Sequence, residues 1–178
     1  MYINNPITFK NQTYSFDTFR GCLYLENQLL TKYDATDNHN SSVCVNNPFL
    51  VTERKGSNVS DINISIFCKL YAKLLVALCA KCYPIAYLLS HLRMPIFPDA
   101  GDANLAFRKI IGGKQNLLCL PRAIFIATTS KKFRKYGTMF IGCFFPSRNL
   151  HAWVIEENMQ ADIFDKYWIL YTPVAKMN

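Results

Sequence analysis

Acidic residues are scarce in this chain. Asp and Glu together number 12 against 20 Lys and Arg, which leaves a formal charge of +8 over 178 residues. Glycine and proline are also few, 7 and 8, and follow no period, which excludes collagen-like and linker-like chains. Charged residues make up only 18%, against 51% hydrophobic and 14% aromatic, the reverse of what disorder requires. A packed core is implied, within one domain or a small domain joined to a modest one. The basic excess says nothing of the fold. It favours acidic partners: nucleic acid, anionic membrane or an acidic peptide.

Other signals are missing too. The most apolar stretch, Ile62–Leu92, is interrupted by Lys69, Lys73 and Lys81. No uncharged apolar run approaches the roughly 18 residues that a membrane span needs. The opening MYINNPITFK has neither the basic n-region nor the apolar h-region of a secretory signal. Seven cysteines, an odd number, argue against a secreted disulfide framework. The expectation is reduced thiols and a cytoplasmic location. There is no GxxxxGK[ST] phosphate loop, no internal repeat and no low-complexity tract.

What is there divides into an α+β pattern. Residues 1–58 read as a small β-rich domain: strand-like runs at Thr13–Phe19, Cys22–Leu25 and Gln28–Tyr33, with a hairpin at Glu26-Asn27. The stretch Glu53–Ser60 is the most linker-like, so the boundary falls there and the second domain runs over 59–178. Ser60 and Asp61 are suited to cap a helix in which Ile62, Ile66, Phe67, Leu70, Leu74, Leu75 and Leu78 recur at three- and four-residue steps. Pro84 should break or kink it, and its three lysines read as a solvated side. A short helix over Asp99–Ile111 stops at Gly112-Gly113, and Cys119–Tyr136 reads as one helix with Pro121 in its first turn. Strands follow at Thr138–Phe145 and His151–Glu156, with a hairpin return at Gln160–Phe164.

The chemistry lies in the second half. Cys79-Ala-Lys-Cys82 has no second ligand pair for zinc and falls inside a helical pattern, so it reads as core packing. His39 and His91 are isolated. Cys119 and His151 differ. A nucleophilic thiol needs help to ionise, and the unpaired N–H groups and macrodipole at a helix start supply it. The same N–H groups suit an oxyanion. A histidine opening a strand, oriented by an aspartate, completes the requirement for a base. A hairpin turn centred on Glu157-Asn158 makes Asp162 the diagonal neighbour of His151 and turns Asp165 to the other face. A one-residue slip in register exchanges the two faces.

Cys119-Leu-Pro-Arg-Ala123 and His151-Ala-Trp-Val154, 32 residues apart, resemble paired blocks of the transglutaminase-like, papain-related cysteine peptidases of lasso-peptide biosynthesis, the B proteins. The likeness covers roughly residues 100–178. It implies a papain/transglutaminase-like core in which Cys119 is the nucleophile and His151 the base. The family's third member is an aspartate after the hairpin. Ungapped alignment puts Ile163 there, so Asp162 is the best candidate and Asp165 the reserve. Residues 13–36 are similar to the strand region of the leader-recognition element, a small winged-helix-like domain that binds the leader as an added β-strand. The resemblance therefore implies a leader peptidase with a Cys119–His151–Asp162 triad and no metal or redox cofactor. Its partners would be a precursor peptide and an asparagine-synthetase-like cyclase that closes the macrolactam, with no nucleic acid.

Two rivals stand beside it. The same triad could transfer an acyl group to an amine, as transglutaminases and arylamine acetyltransferases do. A non-enzymatic, basic winged-helix module would bind nucleic acid with steep salt dependence and give the cysteine–histidine pair no purpose.

Overall fold

The computed structural model describes residues 6–9, 11–32, 64–112, 119–144, 149–156 and 171–177. Both helices and strands are present, an α+β chain. Four strands open it: β1 (Ile7–Phe9), β2 (Gln12–Asp17), β3 (Cys22–Leu25) and β4 (Gln28–Lys32), an antiparallel meander in chain order. β1 carried no signal in the sequence, being only three residues long. Glu26 and Asn27 make the expected β3–β4 hairpin, with φ of 47° and 71°. Two positive φ values in a two-residue loop match the twist of the flanking strands.

The helices follow: α1 (Ile66–Lys81), α2 (Tyr83–Ser90), α3 (Ala100–Ile111), α4 (Cys119–Thr129) and α5 (Lys131–Tyr136). Two of their boundaries correct the expectations from sequence. The first helix begins at Ile66, not after Ser60-Asp61, because Ser65 is extended and its hydroxyl accepts from the Cys68 N–H. The expected break at Pro84 is there: α1 stops at Lys81 and the chain restarts as α2 with Pro84 in its first turn, where its missing N–H is harmless. Cys119–Tyr136 is two helices, not one. Ser130 adopts φ −84° and ψ 127° and caps α5 by accepting from the Phe133 N–H at 3.0 Å.

That interruption is held on both sides. Met94 donates to the Thr128 carbonyl, and Ile96 and Phe97 to that of Thr129, all at 2.9 Å, so the end of α4 has external partners. The Thr128 and Thr129 hydroxyls donate back to Ile124 and Phe125, an alternative that weakens helix continuation. At α3 the expectation holds: the Asp99 carboxylate accepts from the Asp102 N–H, and Gly112 stops the helix at φ 73°.

The C-terminal sheet holds β5 (Gly137–Phe144) between β6 (Asn149–Glu156) and β7 (Thr172–Met177), both antiparallel to it. α4 packs against α1, α2, α3, β5 and β6 and is the central helix. One buried cluster joins Tyr14, Phe16 and Leu23 of the first sheet to the helices and to Met139, Ile141, Leu150, Ala152 and Val154 of the second. Phe19 meets Tyr87 of α2 edge-on at 5.9 Å, and β2 lies against β7. The expected boundary at Glu53–Ser60 lies outside the described residues.

The buried side of α1 is Cys68, Tyr71, Ala72, Leu75 and Cys79. Ile66, Phe67, Leu70 and Leu74 of the periodic set are exposed. A helix apolar nearly all round has no period that tells its inside from its outside.

Gly142 fixes how closely the second sheet is packed. A Cβ there would lie 2.5 Å from the Trp153 indole and 2.9 Å from the Thr172 carbonyl oxygen. The backbone oxygen cannot swing aside. Gly142→Ala should therefore cost about 1–3 kcal/mol, the usual range for overpacking. Urea denaturation would show it as a lower midpoint at constant slope. An unchanged midpoint would mean that the indole yields freely.

Candidate active site

Cys119 is the first residue of α4, half-buried, and packs against the edge of the common core. Behind it the helix is almost wholly interior, with Leu120, Pro121, Ala123, Ile124, Phe125 and Ile126 buried. Pro121 lies in the first turn, and the apolar body fixes the direction of the helix axis. The thiol is thus delivered at the positive end of a rigid dipole.

A second thiol lies close by. Cys79, on the buried side of α1, is pushed up to about 12 by burial, and the nearby Cys119 adds to the rise. Cys79 therefore stays protonated at neutral pH and is inert as a nucleophile. Next to it the Tyr71 hydroxyl donates to the Thr128 hydroxyl at 3.1 Å. Burial pushes Tyr71 up to about 12 against the lowering pull of that bond. This flank of α4 is a neutral, protonated layer. Cys82, the other half of the CxxC, is half-buried and stands at the N-cap position of α2 without a side-chain capping bond. The described cysteines are all free thiols.

His151 is the third residue of β6, directly opposite Gly142 on β5, and only 6% exposed. Its ring stacks on Tyr171 at 4.7 Å and lies 6.2 Å from the near-parallel Trp153 indole. Trp153 in turn stacks on Phe140 at 5.7 Å, and Tyr171 meets Phe144 at 6.0 Å. An aromatic shelf therefore holds the imidazole from two sides.

Strand alternation sorts the two faces of this sheet. Leu150, Ala152 and Val154 belong to the cluster shared with α4. His151 and Trp153 alternate with them and occupy the other face. Cys119 and His151 thus stand on elements that pack together, with the imidazole on the sheet face away from the common core. β6 is an edge strand among the described residues. Asp162, its reserve Asp165 and the expected return strand Gln160–Phe164 all lie outside the described residues.

The aromatic shelf was not foreseen from sequence. Trp153 two residues after His151 was a usable signal, since i and i+2 share a face. Phe140 and Phe144 needed the β5–β6 register, and Tyr171 had no signal at all. Among the described residues, no group of three or more His, Cys, Asp or Glu is placed to hold a metal ion. No family model, no curated protein and no solved structure matches this chain.

Proposed function

We propose that the chain is a cysteine peptidase with a transglutaminase-like core that removes the leader from a lasso-peptide precursor. The reading rests on the resemblance of the Cys119 and His151 blocks. One structural observation supports it: a cysteine opens the central buried helix, and that helix packs on the strand carrying an aromatically clamped histidine. Cys119 attacks the scissile carbonyl as the thiolate, and the His151 imidazolium gives its proton to the leaving amine. The imidazole then takes a proton from water as it attacks the thioester, releasing the acid and restoring the thiol. Asp162 orients the imidazole. Leu150, Ala152 and Val154 fill the face of the sheet that packs on α4, and His151 lies on the other face, so this reading requires the thiol and the imidazole to reach each other around the β6 edge.

The leader adds as a strand to the N-terminal meander, whose edge strands among the described residues are β1 and β4, with main-chain hydrogen bonds supplying the affinity. An asparagine-synthetase-like cyclase takes the trimmed core.

The dyad is tested without a substrate. Alkylation by iodoacetamide, followed at Cys119 by peptide mass mapping, gives its rate against pH. In the wild type the reactive limb should begin well below the ordinary thiol range of about 8.5. His151→Ala should move that limb up by about one unit or more, as loss of an imidazolium partner requires. A Cys119 that titrates as an ordinary thiol in both proteins would sink the pairing.

A further inference from the structure

α1 has two apolar sides, and only one is used by the core. On the other, Ile66 is 76% exposed, Phe67 57%, Leu70 63% and Leu74 48%. At 3.6 residues per turn these four fall within about 100° of arc, one continuous outward stripe. Lys69 and Lys73, both exposed, border it along one side, and exposed Lys81 closes its end. No Asp or Glu occurs from residue 62 to residue 98, whereas Lys69, Lys73, Lys81 and Arg93 do. α2 exposes Ile85 and Leu88 at helical spacing, and Leu92 just beyond its end is exposed as well.

Single exposed leucines are ordinary, but a contiguous apolar stripe marks an interaction surface. Its chemistry narrows the occupant. The stripe holds no hydrogen-bonding side chain that could read a particular partner, and the charges on its one flank and at its end are all cationic. An apolar strip beside positive charge complements acyl chains beneath an anionic headgroup layer. A helix of 16 residues is about 24 Å long and suits lying in that plane. No helix among the described residues is long and apolar enough to cross a membrane.

We propose that α1 docks its Ile66–Leu74 stripe on the surface of an anionic lipid bilayer, with Lys69, Lys73 and Lys81 among the headgroups. The chain's net charge of +8 draws it to that surface, and the apolar stripe holds it there. This does not depend on the peptidase reading.

The test is co-sedimentation of the full chain with phosphatidylcholine vesicles, with and without phosphatidylglycerol. Binding should require phosphatidylglycerol and weaken as salt is raised. Each lysine near such a surface contributes about fivefold in affinity, so the double variant Lys69→Glu, Lys73→Glu should lose about 25-fold or more. Leu70→Glu with Leu74→Glu should abolish binding while circular dichroism and thermal midpoint stay as in the wild type, since both side chains are exposed. A wild type that ignores the mixed vesicles overturns the proposal. So does binding that survives the leucine variant, which would place the contact on another basic patch such as α5. A chain that ignores vesicles but self-associates through Leu70 and Leu74, seen by analytical ultracentrifugation, would give the stripe to a second copy and overturn it equally.

Discussion

Cys119→Ala should cleave the precursor peptide at no measurable rate while binding its leader as tightly as the wild type. Removing the nucleophile of a covalent-intermediate protease costs about 10⁶-fold in turnover, far more than any positioning defect. The side chain is half-buried at the start of α4, so losing its sulfur leaves only a small gap. Stability should hardly move. Leader affinity should persist because the meander proposed to hold the leader lies over residues 7–32, on other elements. Product formation by mass spectrometry and leader binding by fluorescence polarisation separate the two effects. Cleavage by the variant at the wild-type rate would remove the peptidase reading altogether. Loss of leader binding together with cleavage would instead place the thiol in the recognition surface.

Much of the frame is legible in the sequence. Asp99 and Gly112 bracket α3, and Glu26-Asn27 turns the β3–β4 hairpin, because caps and two-residue turns are local chemistry. The start of α4 at Cys119 follows from Pro121 in the same way. What failed was non-local. Nothing between Cys119 and Tyr136 announces a break at Ser130 except the run Thr128-Thr129-Ser130, and the break is completed by backbone bonds from residues 94–97. The orientation of α1 failed for a related reason. Leucines lie on both of its sides, while two of the five residues chosen for the core are cysteines and one is an alanine. For the candidate site, local pattern singled out Cys119 and His151. The sheet face that His151 occupies, and its clamp by Tyr171, depend on the β5–β6 register.

The largest effect on stability is expected at Phe125. It is fully buried in the middle of α4 and gathers three other rings: Phe107 of α3 at 5.4 Å, Tyr71 of α1 at 5.9 Å and Phe97 at 6.1 Å. Each partner comes from a different segment, so this one side chain ties the helical layer together. Phe125→Ala removes the ring from all three and opens a cavity that rigid neighbours cannot fill. The loss should be about 3–5 kcal/mol, the range for large aromatic truncations in a core. Against a typical total of about 5–15 kcal/mol, that brings the chain close to its folding threshold. Phe125→Leu keeps most of the volume and should lose less, about 1–1.5 kcal/mol. The comparison matters because a variant that does not fold gives no number, whereas the leucine variant does. Urea titration by circular dichroism and by tryptophan fluorescence should give coincident transitions in the wild type and in Phe125→Leu. The Tyr71–Thr128 bond should fail with the ring, since Tyr71 stacks on Phe125 and Thr128 lies one turn further along the same helix. A loss under about 1 kcal/mol for the alanine variant would show that the four rings are not the keystone of the core. It would also leave the fixed direction of α4, and with it the placing of Cys119, resting on some other contact.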